Sequence, residues 1–171
     1  MHVRRKESHE MTTIVPEQRT AVGRYRRELE VILARAPSGA AVVVGCAVPP
    51  GTCGPPLHIH AASDETFFVL SGVLLVHADG RVATIPEGGL VHVGRGMPHT
   101  FAAAPGSPAR FLMLHTPGKS GEFYIATAHT VQDQGGPLPR ADIIRVGRDF
   151  EWQPADPPLS RGCAGRLSEP W

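Results

Sequence analysis

The chain is poor in the features that would point to a secreted, membrane or nucleic-acid-binding protein. It has three cysteines, Cys46, Cys53 and Cys163, among its 171 residues. Their odd number rules out a complete disulfide framework, and they form no CxxC pair that would suggest a zinc ribbon, so a reducing compartment is the simpler reading. No stretch approaches the roughly 20 apolar residues of a membrane span. The basic start "MHVRRKESHEM" has no apolar core after it and is not a secretory signal. Charge of one sign is also missing: the formal net charge is +1, which gives no basic surface for nucleic acid or anionic lipid. These absences predict a cytoplasmic protein that acts on neither membrane nor nucleic acid.

Glycine and proline are plentiful, with 19 and 17 residues spread along the chain as turn punctuation, a pattern that goes with many short strands. Strand-like runs occupy 28–36, 40–51, 66–72, a hairpin pattern over 73–89 around Asp79-Gly80, then 90–93, 98–104 and 109–117. Turn signals recur about every 8–12 residues, the spacing of an all-β sandwich or barrel. After Pro117 the pattern changes, and 120–134 and 140–152 fit short amphipathic helices. The expected division is a flexible arm over 1–20, a barrel over 21–117, and short helices with an irregular tail over 118–171.

Within this frame "PPLHIHAASDETFFVLSG" carries the chemistry. Side chains alternate along a strand, so in an extended "LHIH" His58 and His60 face one space about 6.6 Å apart along the chain while Ile59 faces away. Two imidazoles placed so can share a metal, and Glu65, delivered by the short turn "AASD", adds a charge-compensating oxygen. His99, which follows the Gly-rich turn "GRGMP" at the head of another strand, is the candidate fourth ligand. Spacing alone leaves open the commoner fate of a strand histidine, a satisfied polar side chain with no ligand role.

The wording around these residues resembles the two motifs of the cupin superfamily. "HIHAASDETFFVLSG" is similar to the first, with four residues between His60 and Glu65 and six between Glu65 and Gly72. "GGLVHVGRGMPHTF" is similar to the second through Gly88, Gly96 and His99, although Gly94 stands where the motif has proline and Ala103 where it has a later asparagine. The resemblance covers roughly residues 40–117, and looks nearest to the small bacterial proteins grouped with quercetin 2,3-dioxygenase.

The resemblance implies an all-β fold, the cupin double-stranded β-helix or jelly-roll barrel, with the short helices appended. It implies one divalent transition metal per chain (iron, nickel, manganese, copper or zinc) held by His58, His60, Glu65 and His99, with Glu65 also the catalytic proton acceptor. The implied function is a metal-dependent dioxygenase acting, with dioxygen, on a flavonol-like or other aromatic or enolic small molecule. The alternatives are a non-redox isomerase, cyclase or dehydratase using a Lewis-acid metal in natural-product biosynthesis, or a small-molecule-binding cupin without turnover. It further implies a homodimer in which residues before 28 and the strand 28–36 cross between copies.

Parity along the strands puts Phe67 and Val69 on the face of Glu65, and Met97 and Phe101 on the face of His99. Phe67, Met97 and Phe101 are the candidate substrate contacts, and Val69 is read as core. His77 is read as a rim residue and His92 as a surface or turn residue. For His115, at the end of the last barrel strand, the mouth and the solvent both remain open. Cys53 is given no chemical role.

Overall fold

β-Branched and aromatic residues broken by glycine and proline turns form a succession of short antiparallel strands. The structure, a computed structural model, describes residues 13–15, 17, 20–23, 28–33, 39–118, 120–134 and 140–155. Its elements are β1 (Thr20–Gly23), β2 (Glu28–Leu33), β3 (Val42–Val48), β4 (His58–His60), β5 (Asp64–Ala78), β6 (Arg81–Pro86), β7 (Leu90–Val93), β8 (His99–Ala103), β9 (Ala109–Thr116), α1 (Gly121–Gln134), α2 (Arg140–Gly147) and β10 (Trp152–Pro154). The arm expected over 1–20 falls mostly outside the described residues, as does the tail from 156 onward. Among the described residues, strand pairing begins at Thr20. No helix among the described residues is long and apolar enough to cross a membrane.

The sheet runs β1-β2-β3-β9-β5-β8-β4-β10, with β6 and β7 also paired to β5. β5 is the hinge of this arrangement. Its first half lies between β9 and β7, and its second half between β6 and β8. The strand therefore passes from one layer of the barrel to the other, and the change falls at Gly72. The register against β9 shifts between Val69 and Ser71, and Gly72 sits at φ +79°. A Cβ there would fall on the carbonyl oxygen of Pro108. Glycine is required because the backbone is both left-handed and in close contact. Where the sequence suggests two strands meeting at Gly72, the chain makes a bulge and continues pairing.

Alternation then fills the interior. Every second side chain of β3 is buried, as is every second one from Ala109 to His115 in β9. Phe67, Phe101 and Phe111 meet edge-to-face or tilted, with ring centroids 5.2–6.0 Å apart, inside a core that includes Val42, Val44, Val69, Leu74 and Met113. This is the all-β cupin jelly roll with two short helices.

One expectation is corrected beyond the barrel. The helix read over 140–152 ends at Gly147, and Trp152–Pro154 is a strand. The Trp152 ring packs on Gly147, the last residue of the helix, so closely that a Cβ there would come within 2.6 Å of that ring. The freed residues pair antiparallel with β4, setting Trp152 opposite His60, Gln153 opposite Ile59 and Pro154 opposite His58. A three-residue strand held only by its partner carries no periodic signal of its own.

Candidate metal centre

Register brings the four sequence-predicted ligands together. β4 pairs with β8 through His58 opposite His99, and His60 lies two residues along on the same face of β4. Glu65, near the start of β5, lies opposite His115 of β9. The Gly96 amide donates to the His60 carbonyl at 2.8 Å, which fixes the turn before His99 against β4. Arg95 donates from its backbone and guanidinium to Asp64 at 2.9–3.0 Å, tying the same turn to the residue before Glu65. Hydrogen bonds from that guanidinium and the Arg95 amide hold the half-buried Asp64 carboxyl down to about 2.

His58, His60, Glu65 and His99 are all buried, at 1–3% exposure, and one ligand atom from each lies within 4.8 Å of all the others. The group can hold a metal ion. His58 Nε2 is 3.2 Å from His60 Nε2. Glu65 Oε2 is 2.7 Å from His99 Nε2 and 3.3 Å from His60 Nε2.

The outward nitrogens explain why this cluster suits a cation. His58 Nδ1 lies 2.9 Å from the Pro56 carbonyl and His99 Nδ1 lies 2.8 Å from the Met97 carbonyl. A carbonyl only accepts, so each Nδ1 carries the proton, and each neutral ring turns a bare Nε2 lone pair inward. Lone pairs and a carboxylate oxygen then converge with no proton between them, which is favourable only around a positive charge. Without a metal, the proton is held on His99: burial opposes its charge, but the hydrogen bond and charge of Glu65 outweigh burial and raise its pKa. Burial, then the neighbouring His99 and His60, push the His58 pKa well down. Burial alone would raise Glu65, but His115, His60 and His99 together hold it well below the usual carboxylate range.

Two further side chains complete the surroundings. His115, fully buried, places Nε2 3.5 Å from Glu65 Oε1 and 2.9 Å from Tyr124 Oη. Burial, the dominant cause, pushes its pKa down to about 4, so the ring is neutral at physiological pH. Trp152 stacks on His58 with centroids 5.1 Å apart and planes at 21°.

A cavity opens beside the cluster. Its wall includes His58 and Glu65, then Phe101 and Met113 from the barrel, and Phe123, Tyr124, Ile143 and Trp152 from beyond it. Of the predicted substrate contacts, only Phe101 lines this cavity. Phe67 is fully buried in the aromatic core, and Met97 packs on the core from the turn before His99. Parity selects a face, but the barrel is deep enough that one face supplies both core and mouth. Val69 is core, as expected. His77 is buried at 7% exposure rather than on a rim, and His92 is exposed with Nδ1 2.9 Å from Thr66 Oγ1.

His115 could have been found by the parity of Phe111, Met113 and His115. Tyr124 and Trp152 could not, because helix and strand docking is not written in local pattern. Cys53 lies outside the ligand group: it is disulfide-bonded, where the sequence favours reduced cysteines, and its backbone makes an isolated β-bridge to Ala102. Cys46 is buried in the core.

Comparison with known proteins agrees with this geometry. The family model for the cupin domain matches residues 46–115. The "Probable oxidoreductase patJ" of Penicillium expansum is 39% identical over 72 residues, 42% of this chain and 22% of that protein. The "Oxidoreductase iacF" of Pestalotiopsis fici is 43% identical over 58 residues, 33% of this chain and 28% of that one. The match thus spans about a quarter of the length of these curated relatives.

Among solved structures, the polyketide cyclase RemF from Streptomyces resistomycificus superposes with TM-score 0.51 at 24% identity, covering 63% of this chain and 80% of RemF. The nucleoside dehydratase Pac13 of Streptomyces does so with TM-score 0.52 at 16% identity, covering 63% and 83%. At these identities the solved structures speak to the fold alone. Residues 46–115 thus match a cupin domain, and the barrel topology and the paired motifs agree with that match.

Proposed function

We propose that the protein is a metal-dependent oxidoreductase, a dioxygenase acting on a flat aromatic or enolic small molecule. The observation that carries this reading is the convergence of three imidazoles and one carboxylate beside a cavity walled largely by apolar side chains. His58, His60, Glu65 and His99 would hold one divalent transition metal (iron, nickel, manganese, copper or zinc), whose identity the donor set leaves permissive. The oxidoreductase names of the two curated relatives support the redox reading.

A metal bound there supplies Lewis acidity toward an enol or phenol oxygen and, if redox-active, electron transfer to dioxygen. The chain's own groups do the rest. Phe101, Phe123 and Trp152 line the cavity, where their apolar rings suit a planar substrate and exclude water. Glu65 Oε1, turned from the ligand cluster toward His115, is placed to take the substrate's proton. The Tyr124 hydroxyl, bonded to His115 on the cavity wall, gives the substrate one polar contact.

A second reading has its own support. The Glu65 carboxylate and the Tyr124 hydroxyl, 3.5 Å and 2.9 Å from the shared His115 Nε2, are groups that can each take or return a substrate proton without any redox step, which suits a cyclase, dehydratase or isomerase with a Lewis-acid metal. RemF and Pac13, which share the barrel, carry cyclase and dehydratase names. Oxygen uptake on a panel of flavonols and polyphenols separates the readings: substrate-dependent uptake supports the dioxygenase, and turnover that persists under nitrogen supports the alternative. The four-ligand assignment itself is tested by His99→Ala, which should lose stoichiometric metal. Full metal retained in that variant contradicts it. We also propose that the protein works in the cytoplasm as a homodimer.

A further inference from the structure

The family match ends at residue 115, yet the metal-bearing loop is held from far beyond it. Ala61, Ala62 and Ser63 join His60 to the strand that carries Glu65, so their conformation sets how two ligands from different strands approach one ion. Every polar tie on this turn runs to Glu151 or its surroundings. The Ala61 amide donates to the Glu151 carbonyl at 3.0 Å, and the Ala62 amide donates to Glu151 Oε2 at 2.9 Å. The Ser63 hydroxyl lies against Glu151 Oε1 and also 2.8 Å from the Pro117 carbonyl. The same Oε1 accepts from Ser120, just before α1, at 2.6 Å. Ser63 and Ser120 are buried at 0% and 1% exposure, so neither has water as a substitute partner. The next residue, Trp152, stacks on His58 and pairs opposite His60.

We propose that Glu151 is a positioning residue for the metal centre: its carboxylate clamps the 61–63 turn to the start of α1 and so fixes the approach of His60 and Glu65 to the ion. This rests on the metal-centre reading above and adds to it that metal affinity is set from outside the cupin domain. The physical reason is that a turn of three small residues has little side-chain packing of its own. Without a shared acceptor, the Ala62 amide and the Ser120 hydroxyl lose their partner and Ser63 is left with the Pro117 carbonyl alone, and the turn relaxes toward conformations that spread the ligands.

The test uses cobalt(II), whose visible absorption reports ligand geometry and whose affinity is measured by chelator competition on purified full-length protein. Removing an outer-shell partner costs roughly 10–100-fold in metal affinity, so Glu151→Ala should bind cobalt that much more weakly, with a changed visible spectrum. Glu151→Gln should restore most of the affinity. Its amide oxygen can accept from Ala62 and its NH2 can donate to both serine oxygens, while the Ser63 proton goes to Pro117. A folded Glu151→Ala protein with wild-type cobalt affinity and spectrum overturns the proposal, even if its melting temperature falls, because a merely structural role would move only the melt. Should Glu151→Ala not fold, Ser120→Ala removes one donor to the same carboxylate. A smaller loss of affinity in the same direction supports the clamp, and no loss overturns it. Wild-type protein that takes up no cobalt overturns the metal-centre reading and this inference with it.

Discussion

The docking of β10 on the ligand strand can be tested by removing its anchor. Trp152 is 2% exposed. It lies between His58, 5.1 Å away at 21°, and Phe123, 6.1 Å away at 9°. Truncating a buried Trp to Ala costs about 3–5 kcal/mol. For a domain of about this length each kcal/mol moves the melting midpoint by roughly 2–4 °C, so Trp152→Ala should melt roughly 6–20 °C below wild type. Trp152→Phe keeps a ring between His58 and Phe123 and should recover more than half of the loss. Bound metal would raise both midpoints by mass action and hide the difference. The melts should therefore be followed by circular dichroism after chelator treatment. A shift below about 2 °C for Trp152→Ala would mean that Trp152 is not packed between those rings, and the account of the cavity wall would fail with it.

Three other outcomes are expected, the first two from the structure and the last from the family resemblance. Gly72→Ala should destabilise the chain by more than the ~1–2 kcal/mol of a left-handed non-glycine residue, because its Cβ also meets Pro108 O; chemical denaturation measures this, and a neutral result would contradict the layer change at Gly72. Metal affinity should fall as pH drops through and below 7, since the His99 pKa is raised by Glu65 and its proton must leave before Nε2 can ligate. Calorimetry in buffers of different ionisation enthalpy should find protons released on binding, more as the pH is lowered, and affinity independent of pH from 5 to 8 would refute this. Light scattering should give about twice the 18.3 kDa chain mass, and a monomer at micromolar concentration would refute the homodimer.

The barrel and its ligands were legible in the sequence for a physical reason. The barrel rests on period-two alternation and on glycines at fixed turns, which are local properties, whereas the four-ligand set came from the resemblance to the two cupin motifs, since spacing alone left it open. Gly72 marked the layer change, though the sequence could not tell a bulge from a chain reversal, since both put glycine after an apolar run. The cavity wall was not legible. Phe67 and Phe101 have the same local signature, and only the depth of each in the barrel separates core from mouth. Trp152, Tyr124 and Glu151 reach the site through docking of a segment whose own pattern is weak: β10 is three residues long and owes its existence to β4. Their roles are properties of the tertiary fold.

The central claim is that three histidines and a glutamate form a metal centre, and elemental analysis of protein purified without added metal or chelator tests it most directly. Wild type should carry close to one equivalent of iron, nickel, manganese, copper or zinc per chain, and the His58→Ala, His60→Ala and His99→Ala proteins should carry far less while remaining folded. A folded wild-type protein that holds none of these metals, and takes up none on reconstitution, would contradict the account.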